Sequence, residues 1–458
     1  MAITPSGEGA TTPQWTSRFA FLMAAIGSAV GLGNLWRFPF MTGQYGGSAF
    51  VIVYLICVVL VAYPIMMSEL ALGRHKGLSA IESISELAKD AGKSKNWGVV
   101  GIIGVICSGL VLSTYSPVAG QVMAYATMSY MGEFAGRAAS EAATVAPLYN
   151  GALPAILWHT LFMVMTIAIV AQGLHGGIER IVTILMPIFF FLLAGVAIYA
   201  LVTGAGAKAV DYLFTPRFDE ITTSSVLAAL GQAFFSLSLG SAIMITYGSF
   251  LSREESIPAN AAVIAGSDTL VAIIAGLMIF PVVFAFGLDP AAGMGLIFNA
   301  LPAVFSGMPA GSFIGGTFFV LAFVAAITSA ISLLIVPAVA LENYTSLSKT
   351  ASAIVVGIIV WAVGALSILV KDTGGWLDFF SGSVLLPLGG LLVAILAGWV
   401  APSAAMRAEL PHASDRMFAF WRFVVRYPAP LAVGVILILG LDDKFGWGVN
   451  AWINSLTG

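Results

Sequence analysis

Charge is what this 458-residue chain has least of: Asp, Glu, Lys and Arg make up 9% of it, against a hydrophobic share of 59%. A water-soluble domain carries about 25% charged residues. A surface drawn from this composition cannot face water on all sides, so lipid must be the solvent. With 19 basic and 22 acidic residues and a formal net charge of −3, no basic tract is dense enough for nucleic acid. Cysteine is nearly absent. Cys57 and Cys107 sit in separate apolar runs, which argues against a structural disulfide and for two buried thiols. The histidines His75, His159, His175 and His412 are scattered, with no pair at ligand spacing, so a histidine metal site is not expected. His159 lies in an apolar run and reads as a structural histidine. The first 14 residues lack the basic start and apolar core of a cleavable signal and read as a cytoplasmic tail.

What the chain has in abundance is apolar length. A helix needs about 20 apolar residues to cross a bilayer. Eleven runs qualify, at approximately 16–41, 48–72, 97–131, 153–172, 178–203, 225–250, 258–288, 312–344, 350–370, 376–401 and 420–441. The Gly- and Pro-rich stretch from Pro290 to Gly311 is too broken to span and reads as a long external loop with short helices. With the N-terminus inside, 13 of the 19 Lys and Arg residues fall on cytoplasmic segments. That bias predicts a cytoplasmic N-terminus and, after eleven crossings, an external C-terminus.

Two runs break the apolar rule. The first contains Gly27-Ser28-Ala29-Val30-Gly31-Leu32-Gly33-Asn34, then Trp36-Arg37-Phe38-Pro39. The sixth contains Phe234-Phe235-Ser236-Leu237-Ser238-Leu239-Gly240-Ser241. Interrupted segments at matching positions of two halves point to an inverted-repeat transporter. Unwinding frees backbone carbonyls and amides that hydrocarbon cannot satisfy, so they must line a cavity. Carbonyls suit a hard cation, and helix N-termini suit a carboxylate. Close packing of small residues would account for Gly27 and Gly31 alone, but not for the coincidence of two broken runs. Charges within or bordering the runs are few, namely Arg37, Glu69, Asp268, Glu342 and Asp378, and such groups usually face the interior. The adjacent hydroxyls of Thr328 and Ser329 are open to a bland reading, back-bonding to a helix carbonyl.

Together these segments resemble the neurotransmitter:sodium symporter family, whose bacterial members include leucine and multi-hydrophobic amino-acid transporters. The motifs are Gly27 to Pro39, Glu69 with Leu72-Gly73-Arg74, Gly231-Gln232-Ala233 through Gly240, Thr246-Tyr247, and Thr328-Ser329, and the likeness runs from Trp15 to about Trp399. The resemblance implies an all-α polytopic membrane protein with a 5+5 inverted-repeat core at 15–401, its repeats at about 15–203 and 225–401. Helices 1 and 6 would be unwound at mid-membrane, and residues 402–458 would form a cytoplasmic loop, an eleventh helix and the external C-terminus.

It further implies a sodium-coupled importer of neutral, hydrophobic or aromatic L-amino acids in the plasma (inner) membrane. Such a protein is not an enzyme and uses no organic cofactor. The first of two sodium sites would use Ala29, Asn34, Ser236 and Asp268; the second would use Gly27, Val30, Ala325, Thr328 and Ser329. All supply oxygen ligands. The substrate's charged end would meet Ser28, Ala29, Leu32, Gly33, Phe235, Ser236 and Ser238, with Tyr115 donating to its carboxylate. Val111, Phe234, Phe235, Ser238, Ser241, Ser329 and Leu333 would line the side-chain pocket, and Arg37 with Asp378 would form the external gate. Gly177 and Pro187 resemble a motif that lets the fifth helix unwind.

Three departures follow from the comparison. Thr11 to Gln14 lacks the usual basic residue of an internal salt bridge, and Asn343 stands at its acidic partner's place, which leaves Glu342 or Arg18 as candidates to substitute. The twelfth helix of many relatives is missing, which leaves the oligomeric state open. Chloride-dependent relatives hold the anion with groups matching Tyr54, Gln232 and Ser236, but the fourth position is Ala272, and Asp268 replaces their Asn. That implies transport without chloride. The rival functions are a symporter for osmolytes or GABA-like solutes, a sensor that binds without concentrating, and a passive channel.

Overall fold

The computed structural model describes residues 13–137, 151–291, 298 and 300–449. Residues 1–12 of the expected tail, parts of the loop between Pro290 and Gly311, and the end of the chain beyond 449 lie outside the described residues. Among the described residues every regular element is helical. Nine helices among the described residues are long and apolar enough to cross a membrane, or ten if one bent pair counts as a single span.

In chain order the elements are α1 (Arg18–Ala29), α2 (Gly33–Gln44), α3 (Ser48–Lys76), α4 (Ala80–Asp90), α5 (Lys95–Tyr130), α6 (Ala152–Val170), α7 (Leu174–Thr203) and α8 (Gly206–Phe214). Then come α9 (Thr223–Ser236), α10 (Ile243–Ser249), α11 (Ile257–Ala285), α12 (Leu301–Ser306), α13 (Gly311–Tyr344), α14 (Lys349–Leu369), α15 (Thr373–Val400), α16 (Ser403–Glu409) and α17 (Asp415–Phe445). Local chemistry sets many of the starts. Ser17, Ser79, Ser256, Ser348 and Ser414 each accept a hydrogen bond from a backbone N–H in the first turn, and Thr222 with Ser225 forms a capping box. Gly77, left-handed at φ 65, closes α3.

Burial sorts these helices into a centre and a rim. Across its most apolar window α13 is 89% buried, against 28% for α6 and for α17. The central helix is thus wrapped by protein, while the outer ones leave side chains such as Leu157, Phe191, Val202 and Leu431 facing outward. In lipid, that outward apolar surface is the low-energy arrangement.

Both runs marked as broken are broken here. α1 and α2 pass as one span only as a pair bent by 51°. α9 and α10 are separate helices joined by Leu237 to Ala242, and neither is long enough to span. By contrast, the helix carrying Gly177 and Pro187 runs unbroken from Leu174 to Thr203, opening with a π turn at Leu174–Glu179.

Candidate functional site: two helix breaks around a central cavity

The break between α1 and α2 begins at Val30, whose backbone is extended at φ −72, ψ 109. The freed amides are met by side chains. Asn34 Oδ1 accepts from Gly31 N–H at 3.0 Å, and Tyr115 Oη accepts from Leu32 N–H at 3.3 Å. The second break is more contorted. Ser238, Gly240 and Ala242 all take left-handed backbone, at φ 52, 87 and 59. For Ser and Ala that conformation costs about 1–2 kcal/mol each and persists only where the surroundings impose it. Here Glu69 Oε1 accepts from Gly240 N–H at 2.7 Å, and Ser108 Oγ donates to the Ser241 carbonyl at 2.5 Å. α5 leaves room for the break at Gly104, where a Cβ would lie 2.5 Å from that of Ala242.

Between the breaks lies a cavity of about 70 Å³. Ser28, Ala29, Leu32 and Gly33 border it from the first break, and Phe235, Ser236, Ser238 and Ser241 from the second. Val111, Tyr115, Ser329 and Leu333 complete the wall from α5 and α13. Gly31, Asn34 and Leu386 join them. Of the side chains expected around a substrate, Phe234 alone is not on this wall. Its ring lies against Gly390, where any Cβ would collide with it, and it borders a larger outer cavity of about 360 Å³. Adjacent residues on a helix point about 100° apart, so only one of two neighbouring phenylalanines can face the centre. Phe235 and Leu386 border both cavities and form the partition between them.

Asn34, Ser236 and Asp268 come together behind this cavity. Asn34 Nδ2 donates to Asp268 Oδ1 at 2.7 Å and lies 3.2 Å from Ser236 Oγ. Ser236 Oγ donates to Asp268 Oδ2 at 2.7 Å, and Tyr54 Oη lies 3.4 Å from the same oxygen. Asp268 is fully buried, and among the described residues no basic side chain lies within 4.0 Å of it. A buried carboxylate held only by neutral donors calls for a cation. Asp268 and Ser236 present oxygen atoms, the donor type that hard cations bind.

A second oxygen cluster lies where α13 meets α1. Ser329 Oγ is 3.3, 3.4 and 3.2 Å from the carbonyls of Gly27, Ser28 and Val30. Thr328 Oγ1 is 3.1 Å from the Ala325 carbonyl. The approach is close because Gly27 has no side chain; a Cβ there would meet Thr328 Cβ at 3.1 Å and Met186 Sδ at 3.0 Å.

Arg37 stands above Phe235, its guanidinium carbon 4.5 Å from the ring centroid, and its Nη1 donates to Gln232 Oε1 at 2.5 Å. It makes no ion pair with Asp378 within 4.0 Å, so the two expected gate residues are near one another but not joined. At the opposite end, Trp15 Nε1 donates to the Tyr247 carbonyl at 3.1 Å. Arg18 Nε lies 2.8 Å from Asn260 Oδ1 and 3.5 Å from Glu255 Oε2. Of the two candidates for the missing internal bridge, Arg18 is therefore the one engaged. Asn343 bonds Glu82 at 3.0 Å.

Sequence reasoning missed a clamp at this same end. Glu409, buried, accepts from Arg74 Nε at 3.0 Å and Arg253 Nη1 at 3.0 Å, and lies 3.3 Å from His75 Nδ1. Burial works to raise its pKa, but the hydrogen bonds from His75 and Arg74 and the nearby arginines prevail and hold it below the usual carboxylate value. It joins α16 to the end of α3, a contact of 335 residues' separation that no local pattern announces. Arg74 within the Leu72-Gly73-Arg74 motif was the available signal.

This geometry has counterparts. The profile described as the sodium:neurotransmitter symporter family matches residues 12–144 and 149–453. The chain belongs to the sodium:neurotransmitter symporter family. Among this family's proteins, an uncharacterized sodium-dependent transporter, YhdH, from Bacillus subtilis (strain 168) is 33% identical over 443 residues, covering 93% of this chain and 97% of the relative. An uncharacterized sodium-dependent transporter of Haemophilus influenzae is 30% identical, covering 93% and 98%. The crystal structure of MhsT in complex with L-phenylalanine superposes with a TM-score of 0.84 at 38% identity, covering 93% of this chain and 99% of that one. As a symporter-family member the protein is a multi-pass membrane transporter, not an enzyme, and sodium use comes with the family.

Proposed function

We propose that the protein imports neutral, hydrophobic or aromatic L-amino acids by sodium-coupled symport without chloride. The observation that carries this is the composition of the central cavity. One side is unwound backbone with Tyr115 and a caged carboxylate nearby; the other is Val111, Leu333, Phe235 and Leu386. A zwitterion with an apolar side chain matches both halves. The L-phenylalanine held by a relative 38% identical supports the same class.

In this reading the pair α1–α2 and the pair α9–α10 are the first and sixth of eleven spans, unwound at mid-membrane in a 5+5 inverted repeat. The N-terminus is cytoplasmic and the C-terminus external. The first sodium binds Asn34, Ser236, Asp268 and the Ala29 carbonyl, and the substrate carboxylate lies beside it. The second sodium binds the carbonyls of Gly27, Val30 and Ala325 with Thr328 and Ser329. Substrate enters past Arg37 and Asp378, and Phe235 closes behind it. Asp268 supplies the fixed negative charge beside sodium that chloride brings elsewhere, and Ala272 offers no hydrogen bond to an anion.

On a scale where one water needs about 10–15 Å³, the cavity of about 70 Å³ is small. A bulky side chain therefore requires Phe235 or Leu386 to swing aside. Uptake of labelled Phe, Trp, Leu and Val into proteoliposomes, with tryptamine as competitor, tests the reading. Sodium-dependent accumulation of the amino acids with no competition by tryptamine is expected. Competition by tryptamine as strong as that by Trp would refute the carboxylate requirement.

A further inference from the structure

Trp399, at the end of α15, and Arg422, Arg426 and Tyr427 of α17 form a cluster that the transport cycle does not use. α15 ends at Val400, and its last carbonyls are free of helical partners. Arg422 Nη1 and Nη2 donate to the carbonyls of Ala397 and Ala401 at 3.0 Å each, and Arg426 Nε donates to that of Gly398 at 2.7 Å. The two guanidinium groups are thus fixed side by side, one helical turn apart. Neither has a carboxylate within 4.0 Å among the described residues. Helix-end carbonyls offset only part of two full charges. Donors remain: the terminal nitrogens of Arg426 have no partner among the described residues.

Beside these charges lies an outward aromatic surface. Trp399 and Tyr427 are 55% and 52% exposed, with ring centroids 5.5 Å apart, and the Arg426 guanidinium lies 5.5 Å from the Trp399 centroid. α15 is long and apolar enough to span and ends at Val400, which argues that Trp399 and the arginines bonded to this helix end lie near the level where hydrocarbon gives way to headgroups. Aromatic rings favour that level, and paired cations there attract anionic lipid.

The geometry points to a binding site for an anionic phospholipid headgroup, its phosphate held by Arg422 and Arg426 and its glycerol and upper acyl carbons against Trp399 and Tyr427. A guanidinium matches phosphate with paired donors. The aromatic wall favours a lipid over a free anion, because a free phosphate would leave it unused.

The test is native mass spectrometry of the full-length protein released from nanodiscs containing phosphatidylglycerol and phosphatidylcholine. Wild type should retain phosphatidylglycerol preferentially. Arg422→Gln/Arg426→Gln should lower that preference about thirtyfold, and Arg426→Gln alone about fivefold. Arg422→Lys/Arg426→Lys, which keeps both charges, should retain most of it. The single variant keeps the test decisive if the double Gln variant folds poorly. Equal retention of both lipids by wild type, or an unchanged preference in Arg426→Gln and the double variant, would overturn the assignment. So would full displacement of the lipid by millimolar glycerol phosphate, which marks a free-anion site, or a soluble protein occupying this face in place of lipid.

Discussion

Asp268 carries a heavy electrostatic demand beside the cavity. It is wholly buried, held by Asn34, Ser236 and Tyr54, all neutral. With sodium beside it the charge is matched; without sodium it is not. Removing one partner of a buried charge pair costs about 3–5 kcal/mol, so Asp268→Asn should weaken sodium-dependent uptake by at least about a hundredfold. Wild-type uptake should be equal in gluconate and chloride buffers, and chloride should partly restore the variant; collapse of wild-type activity in gluconate removes Asp268 from this role. Arg37 and Asp378 call for a graded expectation. Arg37 already binds Gln232 and covers Phe235, whereas Asp378 makes no ion pair with it within 4.0 Å. Arg37→Ala should therefore abolish most uptake and Asp378→Asn should reduce it less. Equal, wild-type rates in both would show a bystander pair. Asn34, Ser236 and Asp268, which meet in the structure, stood out in sequence because polar groups in apolar runs are costly. That Phe234 borders the outer cavity and Phe235 the central one was not legible, because composition does not say which of two adjacent rings turns inward, and the contact that holds Phe234, at Gly390, is 156 residues away.

At the scale of elements, what matters is how a helix interrupted in mid-course is kept from collapsing. Glycines and serines in runs one and six gave away the interruptions themselves, since such residues weaken a helix. Their bracing was not legible, because it comes from other helices: Glu69 on α3, and Ser108 and Gly104 on α5. Ala242 looks helical by propensity, yet it sits left-handed at φ 59. The contact between Gly104 and Ala242 allows a double-mutant cycle. Gly104→Ala should lower stability by about 1–3 kcal/mol through overpacking. Ala242→Gly relieves strain and removes the atom a Cβ at 104 would meet at 2.5 Å, so the double variant should recover most of the loss. Thermal melts in detergent would measure this, and strictly additive effects would mean that the two positions do not touch. The helix α17 begins at Asp415, ahead of the apolar run at about 420–441. Its first turns carry Asp415 and Arg416 with apolar residues on one face only, so a search for uninterrupted apolar length passes over them.

For the molecule as a whole, the proposed site lies between two packed ends. Phe235 and Arg37 cover one end, and Trp15 with Arg18 anchors the other to α10 and α11. Long apolar runs made the class and the approximate span count readable, while the long-range clamp of Arg74 on Glu409 was not, because it depends on tertiary placement. If both oxygen clusters carry sodium, the driving force follows. Each entering ion contributes about 2.3 kcal/mol at 100 mV, and a tenfold gradient adds roughly 1.4 kcal/mol per ion. Two ions supply about 7.4 kcal/mol, enough for about five decades of accumulation of a neutral substrate, whereas one ion supplies half. The two clusters differ in kind: the first contains a carboxylate, the second only neutral oxygens. A membrane potential should therefore accelerate uptake in wild-type proteoliposomes, and the sodium dependence should be sigmoidal. Thr328→Ala with Ser329→Ala should remove one ion from the coupling, flatten the sodium curve toward hyperbolic and halve the decades of accumulation. Uptake that proceeds unchanged with choline in place of sodium, or a curve already hyperbolic in wild type, would limit the protein to at most one coupled ion.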